Sequence, residues 1–496
     1  MNKLNSLKYK TLRSWEIFIL SVITIFGIGS QYFTNISYSL NQGLIQSTFD
    51  LDSKYLIIPA VLTNFAFAFG IPFGHIFTHR LSFKKNYILF TAIFLIASIF
   101  CASTNNIYIL TIGKTIQGLS TGVLFFTTLP QAYHVFPAKY KNVFLFMVIV
   151  GLFGANALGG VSGSYSIETE EWRWLYYVNI ASAILCILIA SVAFKDDHHI
   201  ETKHHPYDTK EVVALTIFAV ILATSCAILP IYGMSNAWFI TGAVLSLISF
   251  ILFVIFNLKS EHPIVHFHTL YEKKPMIGAI MAISSHLTLV IALAGINIFL
   301  LRILRMQPHD VLYFYIFFLF GVILSGAIKM LTYSAVGAGV LGVIGSSAIL
   351  YVSIHWRIIG VDVSKESLYI HAFLLGFGIS ITLVGGAMAT LLDGPLDKAS
   401  HRSNTMHTIR NYMGAILVAA IAWFISQDLQ RQIPVHAHSK EEAMKMMYLA
   451  AINTVHHVFH IMIAFNIIML IASIIQMTLG KGRRIVAKKV KIIDSK

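Results

Sequence analysis

Charge is what this sequence has least of. Asp, Glu, Lys and Arg together make up 12% of its 496 residues, roughly half the share of an ordinary soluble chain. Hydrophobic residues fill 56%, and mean hydropathy is +0.73. That balance excludes a set of soluble domains and implies an all-α polytopic membrane protein. Cysteine is nearly absent: Cys101, Cys186 and Cys226 all fall in apolar stretches, so no disulfide framework and no cysteine zinc site can be built. Acidic residues number 22 against 36 basic ones. The resulting excess of +14 would suit nucleic acid, but these lysines and arginines sit between apolar runs and at the two ends. Cytoplasmic loops of membrane proteins carry positive charge in that way, so no nucleic-acid partner is expected. H-E-x-x-H and G-x-S-x-G are both missing, no soluble module is attached, and neither an enzyme nor a cofactor is expected.

What fills the chain is apolar runs long enough to cross hydrocarbon, which needs about 20 residues per helix. Fourteen candidates follow: 14–36, 54–77, 86–104, 107–131, 141–164, 172–194, 210–230, 234–257, 275–301, 310–331, 333–354, 366–392, 406–426 and 452–479. The first is too long for a cleaved signal peptide and carries Gln31 and Asn35. With the N-terminus placed in the cytoplasm, the inner connections and tails hold 25 Lys and Arg and the outer ones nine. That asymmetry puts both termini inside and makes the number of spans even. The most polar inner connection, 195–209, and the amphipathic one at 258–274 flank spans 7 and 8. They divide the chain into a six-helix bundle over 1–194, a pair of linker helices with their loops over 195–274, and a second six-helix bundle with a basic tail over 275–496.

Several strings carry more than hydropathy. Span 5 reads GLFGANALGG, with Gly151, Gly159 and Gly160 spaced so that a neighbouring helix can approach closely, and Ala155 and Asn156 between them. Span 6 opens on WRWLYYVN, containing Trp172, Arg173 and Asn179. Span 4 holds Lys114, Gln117 and Gly118, and NTMHTIRNYMGAI in span 13 holds Asn404, Arg410 and Gly414. Gly74, His79, Arg80, Lys84 and Lys85 mark the 2–3 connection, GHIFTHRLSFKK.

Together with the H-P-x-V string after span 8, these segments resemble the fourteen-span drug:proton antiporters of the major facilitator superfamily, over nearly the whole chain. In span 5 Ala155 and Asn156 stand where that family has glycine and proline, and Lys114 stands in place of an arginine. Thr78 or His79 replaces an aspartate after span 2, and Tyr32 replaces one in span 1. The resemblance implies a major facilitator fold of 6+2+6 helices, alternating access between the bundles, and proton-coupled export across a bacterial inner membrane.

No Asp or Glu lies at the middle of any of these spans. A proton-driven exporter of cations needs a buried carboxylate, because intramembrane charges are costly and are kept for function. Here the interior charges are basic, Lys114 and Arg410, and they point to an anionic or neutral amphiphilic substrate, of which a citrate-type siderophore is one example. The competing reading is that Lys114 snorkels and Arg410 anchors an interface. Histidine can take over the proton, and His286, midway along span 9, is the first candidate and His371 the second, with Lys114 as a further one. Gln31, Tyr32, Asn35, Gln117 and Asn297 complete the expected substrate-binding set, and Tyr38 and Phe126 are possible pocket walls. His198, His199, His204, His205, His456 and His460 are weighed as metal ligands and set aside. The expected partners are a small-molecule substrate, a proton and the bilayer, for a monomer; uptake of an anion or metal chelate is the alternative direction.

Overall fold

A computed structural model describes residues 14–78, 81–135, 146–193, 208–393, 398–432 and 440–481. The expected positions His79, Arg80, His198, His199, His204 and His205 lie outside the described residues. Within them the elements are helical: α1 (Ser14–Leu40), α2 (Gln42–Phe49), α3 (Ile57–Thr78), α4 (Phe83–Ser103), α5 (Ile107–Val135), α6 (Phe146–Glu168), α7 (Trp174–Ala193), α8 (Thr209–Tyr232), α9 (Ala237–Lys259), α10 (Lys273–Ile298), α11 (Pro308–Trp356), α12 (Lys365–Leu392), α13 (Ala399–Gln432) and α14 (Lys440–Thr478). Only helices meet the demand that each backbone polar group be paired within its own span. Local chemistry fixes their ends: the Ser82, Asp208, Asn236 and Ser364 side chains accept from backbone N–H groups of the first turns, and Pro308 opens α11.

Among the described residues, thirteen helices are long and apolar enough to cross a membrane. One of them, α11, has 49 residues. At 1.5 Å per residue it would run about 74 Å, more than twice the hydrocarbon core, so it cannot be one span. The backbone breaks at Gly337, where φ is 83° and ψ is 172°, a conformation open in practice to glycine alone. Each limb is then long enough to cross. This break comes later than the expected turn at 332, and Lys329 lies buried in the limb before it. Two other boundaries shift. The helix expected over 406–426 extends over Ala399–Gln432, and α6 reaches Glu168. The first connection is itself partly helical, as α2.

Helix α3 lies along α5, and α1 along α6. In the second half α11 and α12 pack closely, with α10 and α14 against them. The two halves meet where α13 crosses α3 and where α11 crosses α6. The α8–α9 hairpin touches both: Phe218 of α8 lies 5.7 Å from the Tyr412 ring of α13, and Phe65 of α3 lies 6.3 Å from that same ring. The Glu211 carboxylate ties the hairpin to the chain that follows, accepting from Asn257 Nδ2 (2.5 Å) and the Ile264 backbone N–H (2.8 Å). That linker then docks on α13, where the His266 N–H donates to Thr405 Oγ1 (3.1 Å) and the His266 ring stacks on His401 at 3.8 Å. Burial, with His401 and His268 alongside, pulls the His266 imidazole down to about 4, so it is neutral at neutral pH.

Gly337→Ala should lower stability by about 1–2 kcal/mol, from the positive φ and from the Lys481 backbone that its methyl would meet. A thermal midpoint in detergent is the measurement, and an unchanged midpoint would mean that the break can be reached by another backbone path.

Candidate functional site

A cavity of about 760 Å3 lies between the halves. Helices α1, α3, α6, α10 and α13 supply most of its walls. Ser53, Lys54, Arg302 and Leu429, near the ends of their helices, line one extreme of it. Tyr32, Phe67, His286, Asn411 and Gly414 line the other, near the middle of α1, α3, α10 and α13. The cavity is therefore a vestibule with a floor. Below that floor aromatic rings close the path: Phe67 lies 5.8 Å from Tyr32 and 5.8 Å from Phe125, and Phe125 lies 4.9 Å from the His407 ring.

Arg410 is buried under the floor, 1% exposed. Its Nη2 donates to the Tyr32 hydroxyl at 2.7 Å, which joins α13 to α1 across the two halves. Among the described residues Nε has no hydrogen-bond partner, and the guanidinium lies 5.9 Å over the Phe125 ring. Tyr32 in turn donates to Asn411 Oδ1 at 3.5 Å, and the His286 ring stands edge-on to Tyr32 at 6.5 Å. His286 packs directly on Gly414, one turn along from Arg410; a Cβ there would lie 2.6 Å from its Nε2. The competing reading of Arg410 as an interface anchor does not fit this burial. The helix begins seven residues earlier than expected, which carries Arg410 to the centre of the site.

Amides furnish most of the remaining polarity. Gln31 Nε2 donates to Asn35 Oδ1 (3.3 Å), Asn35 Nδ2 donates to Asn64 Oδ1 (2.8 Å), and Thr121 Oγ1 donates to Gln31 Oε1 (3.1 Å). Asn297 accepts from the Tyr315 hydroxyl at 2.7 Å, while its own Nδ2 has no partner among the described residues. Among the described residues no Asp or Glu lines the cavity, and its full charges are Lys54 and Arg302. Asp52, 3.2 Å from Lys54, offsets one of these at the rim.

The expected binding set is thus partly assembled. Gln31, Tyr32, Asn35, His286 and Asn297 line the cavity, with Arg410 directly behind Tyr32. Lys114 does not line it. Its amine is fully buried behind Tyr38, 4.1 Å from that ring, and Tyr38 presents itself to the cavity while donating to Leu56 O (2.8 Å). Gln117 is turned away too, donating to Ser98 Oγ (2.7 Å). His371 lies elsewhere, accepting at Nδ1 from Trp356 Nε1 (3.2 Å), and Phe126 is absent from the lining. Asn64, Asn411 and His407 escaped sequence reasoning; an amide inside an apolar run was the available signal for Asn64, and the Arg410 string for the other two.

The motif glycines sit at helix crossings. Gly151 faces Ile25 and Ile28, Gly159 faces Phe33, and Gly160 leaves no room for a Cβ beside the Tyr315 ring of α11. Where proline would have bent α6, a π-helical turn spans Val150–Gly154, and Asn156 Nδ2 donates to the Leu152 carbonyl at 2.8 Å. Ala155 packs against Gly29 in the same crossing. Gly74 lies against Phe126 and Val123. Arg173 clamps the α4–α5 turn through Ala102 O (3.0 Å) and Asn105 Oδ1 (2.6 Å), Trp172 Nε1 donates to Thr48 Oγ1 (3.0 Å), and Asn179 Nδ2 donates to Thr34 Oγ1 (3.1 Å). Lys84 donates to Ser191 O (2.8 Å), and the Lys85 N–H is capped by Ser82.

Comparison with known proteins places these features in company. The Major Facilitator Superfamily model matches residues 17–422. The uncharacterized MFS-type transporter YubD of Bacillus subtilis is 23% identical over 97% of this chain and 91% of its own length. The multidrug export protein EmrB of Haemophilus influenzae is 22% identical over 47% of this chain and 46% of its own, and the multidrug efflux pump SdrM of Staphylococcus aureus is 27% identical over 35% and 37%. Among solved structures, a crystal structure of the nucleoside transporter NupG superposes with a TM-score of 0.54 at 13% identity, covering 93% of this chain and 99% of its own.

Tyr32→Phe should cost about 1–3 kcal/mol, because the buried guanidinium loses its hydroxyl acceptor. Denaturation of the purified protein measures it; a cost near zero would show that Arg410 finds another partner without Tyr32.

Proposed function

The chain belongs to the Major Facilitator Superfamily and is a multi-pass membrane transporter rather than an enzyme; from that premise we propose that it carries a small anionic or neutral amphiphilic compound by alternating access. The single observation carrying this reading is a cavity with basic residues at its rim, Arg410 under its floor and no carboxylate among its described lining residues. A cationic drug would meet net positive charge there, since Asp52 offsets Lys54 but not Arg302 or Arg410. An anion gains the paired donors of a guanidinium, as a polycarboxylate chelator would. Amides along Gln31, Asn35, Asn64, Asn297 and Asn411 offer both donors and acceptors to neutral parts of the ligand.

In this reading residues 1–194 and 275–496 are two six-helix bundles in a 6+2+6 arrangement, with both termini cytoplasmic in a bacterial inner membrane. Rocking of one bundle against the other exposes the floor first to one face and then to the other. The vestibule then opens to the outside, since its rim lies at the α1–α3 connection. His286 carries the coupling proton, because it touches the cavity and lies beside Tyr32 and Gly414. Lys114 adds positive potential through the Tyr38 wall without contacting ligand in this conformation.

Export is the preferred direction, supported by the efflux relatives named above. Uptake has one observation in its favour: Lys54 and Arg302 stand at the rim, where they would draw an anion in from outside.

Two experiments test the reading. Thermal-shift measurements on purified protein against polycarboxylates, neutral drugs and cationic dyes should find stabilisation by the first two; a ligand at about 100 times its Kd adds about 2.7 kcal/mol. Arg410→Gln should abolish most of the anion's effect, and stabilisation by cationic dyes alone would overturn the assignment. His286→Gln should flatten the pH dependence of transport, because the imidazole is the proposed proton carrier. An unaltered profile in reconstituted vesicles would take the proton away from His286.

A further inference from the structure

Lys329 belongs to none of the interactions described so far. Its side chain is buried in α11 at 1% exposure, and among the described residues Nζ has no hydrogen-bond partner. The Tyr333 ring, 5.5 Å away, is the contact that its charge makes. Asp393, a carboxylate near Tyr333, accepts from Gln476 Nε2 at 3.4 Å and leaves the Lys329 amine without a hydrogen bond. An ammonium held in this way is costly to bury, and intramembrane charge of that kind marks function more often than packing.

Its location gives the cost a purpose. Helix α11 starts at Pro308, close in sequence to Arg302 at the rim of the cavity. Lys329 comes roughly 20 residues later, or about 30 Å along the helix, toward the far side of the molecule. On the way α11 forms an antiparallel seam with α6. Leu319 meets Gly154, and Gly326 packs against Phe146 and Ile149. Lys329 follows Gly326 by one turn on nearly the same face. The seam joins the two halves on the side where the cavity is closed, and Lys329 stands at its deep end.

We infer that Lys329 is a second anion-binding station, hidden while the vestibule is open at its rim and uncovered when the α6–α11 seam parts. There it would meet the ligand's anionic group on the closed face, after Arg410 on a path out or before it on a path in. The inference rests on the anionic reading of the substrate. It adds a cationic residue on the face that the cavity does not reach, and it explains why an unpaired ammonium is retained: opening the seam hydrates it or gives it a counterion.

The test uses the full chain reconstituted in vesicles of both orientations. The probes are naphthalene-1-sulfonate, an anionic amphiphile, and naphthalene-1-sulfonamide, its neutral counterpart. Lys329→Gln should raise the half-saturating sulfonate concentration about tenfold for entry from the closed face, the value of one charge-assisted contact. Entry from the rim face should stay within about twofold, and the sulfonamide should be unaffected on either face. Lys329→Arg keeps the charge and should keep the closed-face affinity, which guards against a folding defect common to any substitution. Equal effects on both faces, equal effects on both probes, or loss of affinity in Lys329→Arg alongside Lys329→Gln would overturn the assignment. If wild-type protein takes the sulfonamide and refuses the sulfonate, the anionic reading itself falls, and the station with it.

Discussion

One contact organises the centre of this molecule: a guanidinium on α13 donating to a phenol on α1, buried from water between the two halves. A lone arginine in hydrocarbon is expensive, and here it is met by a hydroxyl and an aromatic face rather than by a carboxylate. A neutral acceptor keeps Arg410 in place without cancelling its charge. The surplus remains available to a ligand, and the cavity floor above it is polar without being acidic. The halves are also free to part, since one hydrogen bond to a neutral hydroxyl is weaker than a buried ion pair.

Around that point the fold is held mainly by close packing. Lipid gives helices little hydrophobic reason to associate, so they meet where small residues let backbones approach. The Gly159–Phe33 and Gly160–Tyr315 contacts are such places, and the second of them joins the halves. The π-helical turn in α6 lies next to the cavity, with Asn156 satisfying a carbonyl and also reaching the lining. Polar clamps at the helix ends, through Arg173, Trp172 and Glu211, fix the connections. The middle of the interface is left to groups that can exchange partners.

Much of this was legible in one dimension, and the failures have identifiable causes. Hydropathy found the helices because hydrocarbon imposes a length. It could not place the turn inside α11, since Leu331 through Val340 carries no charge and only a positive φ at Gly337 marks the break. The span 13 string drew attention to Arg410, but α13 begins in a polar stretch that hydropathy discounts, so its depth was not legible. Lys114 looked like a ligand residue because a charge in a span invites that reading; the side toward which a helix turns one lysine cannot be computed from its neighbours in sequence.

By itself the sequence determined the class of molecule, the near-complete inventory of crossing helices and the lack of acid in their middles. Each follows from composition and from the energetic penalty of charge in lipid. It also held the strings that tie the chain to its superfamily. Tertiary structure alone decided which of those residues face one another: Tyr32 with Arg410, His286 with Gly414, Lys114 with the back of Tyr38, and Lys329 with the closed seam. Helix rotation and crossing angle are set by side chains hundreds of residues apart, and no local pattern contains them.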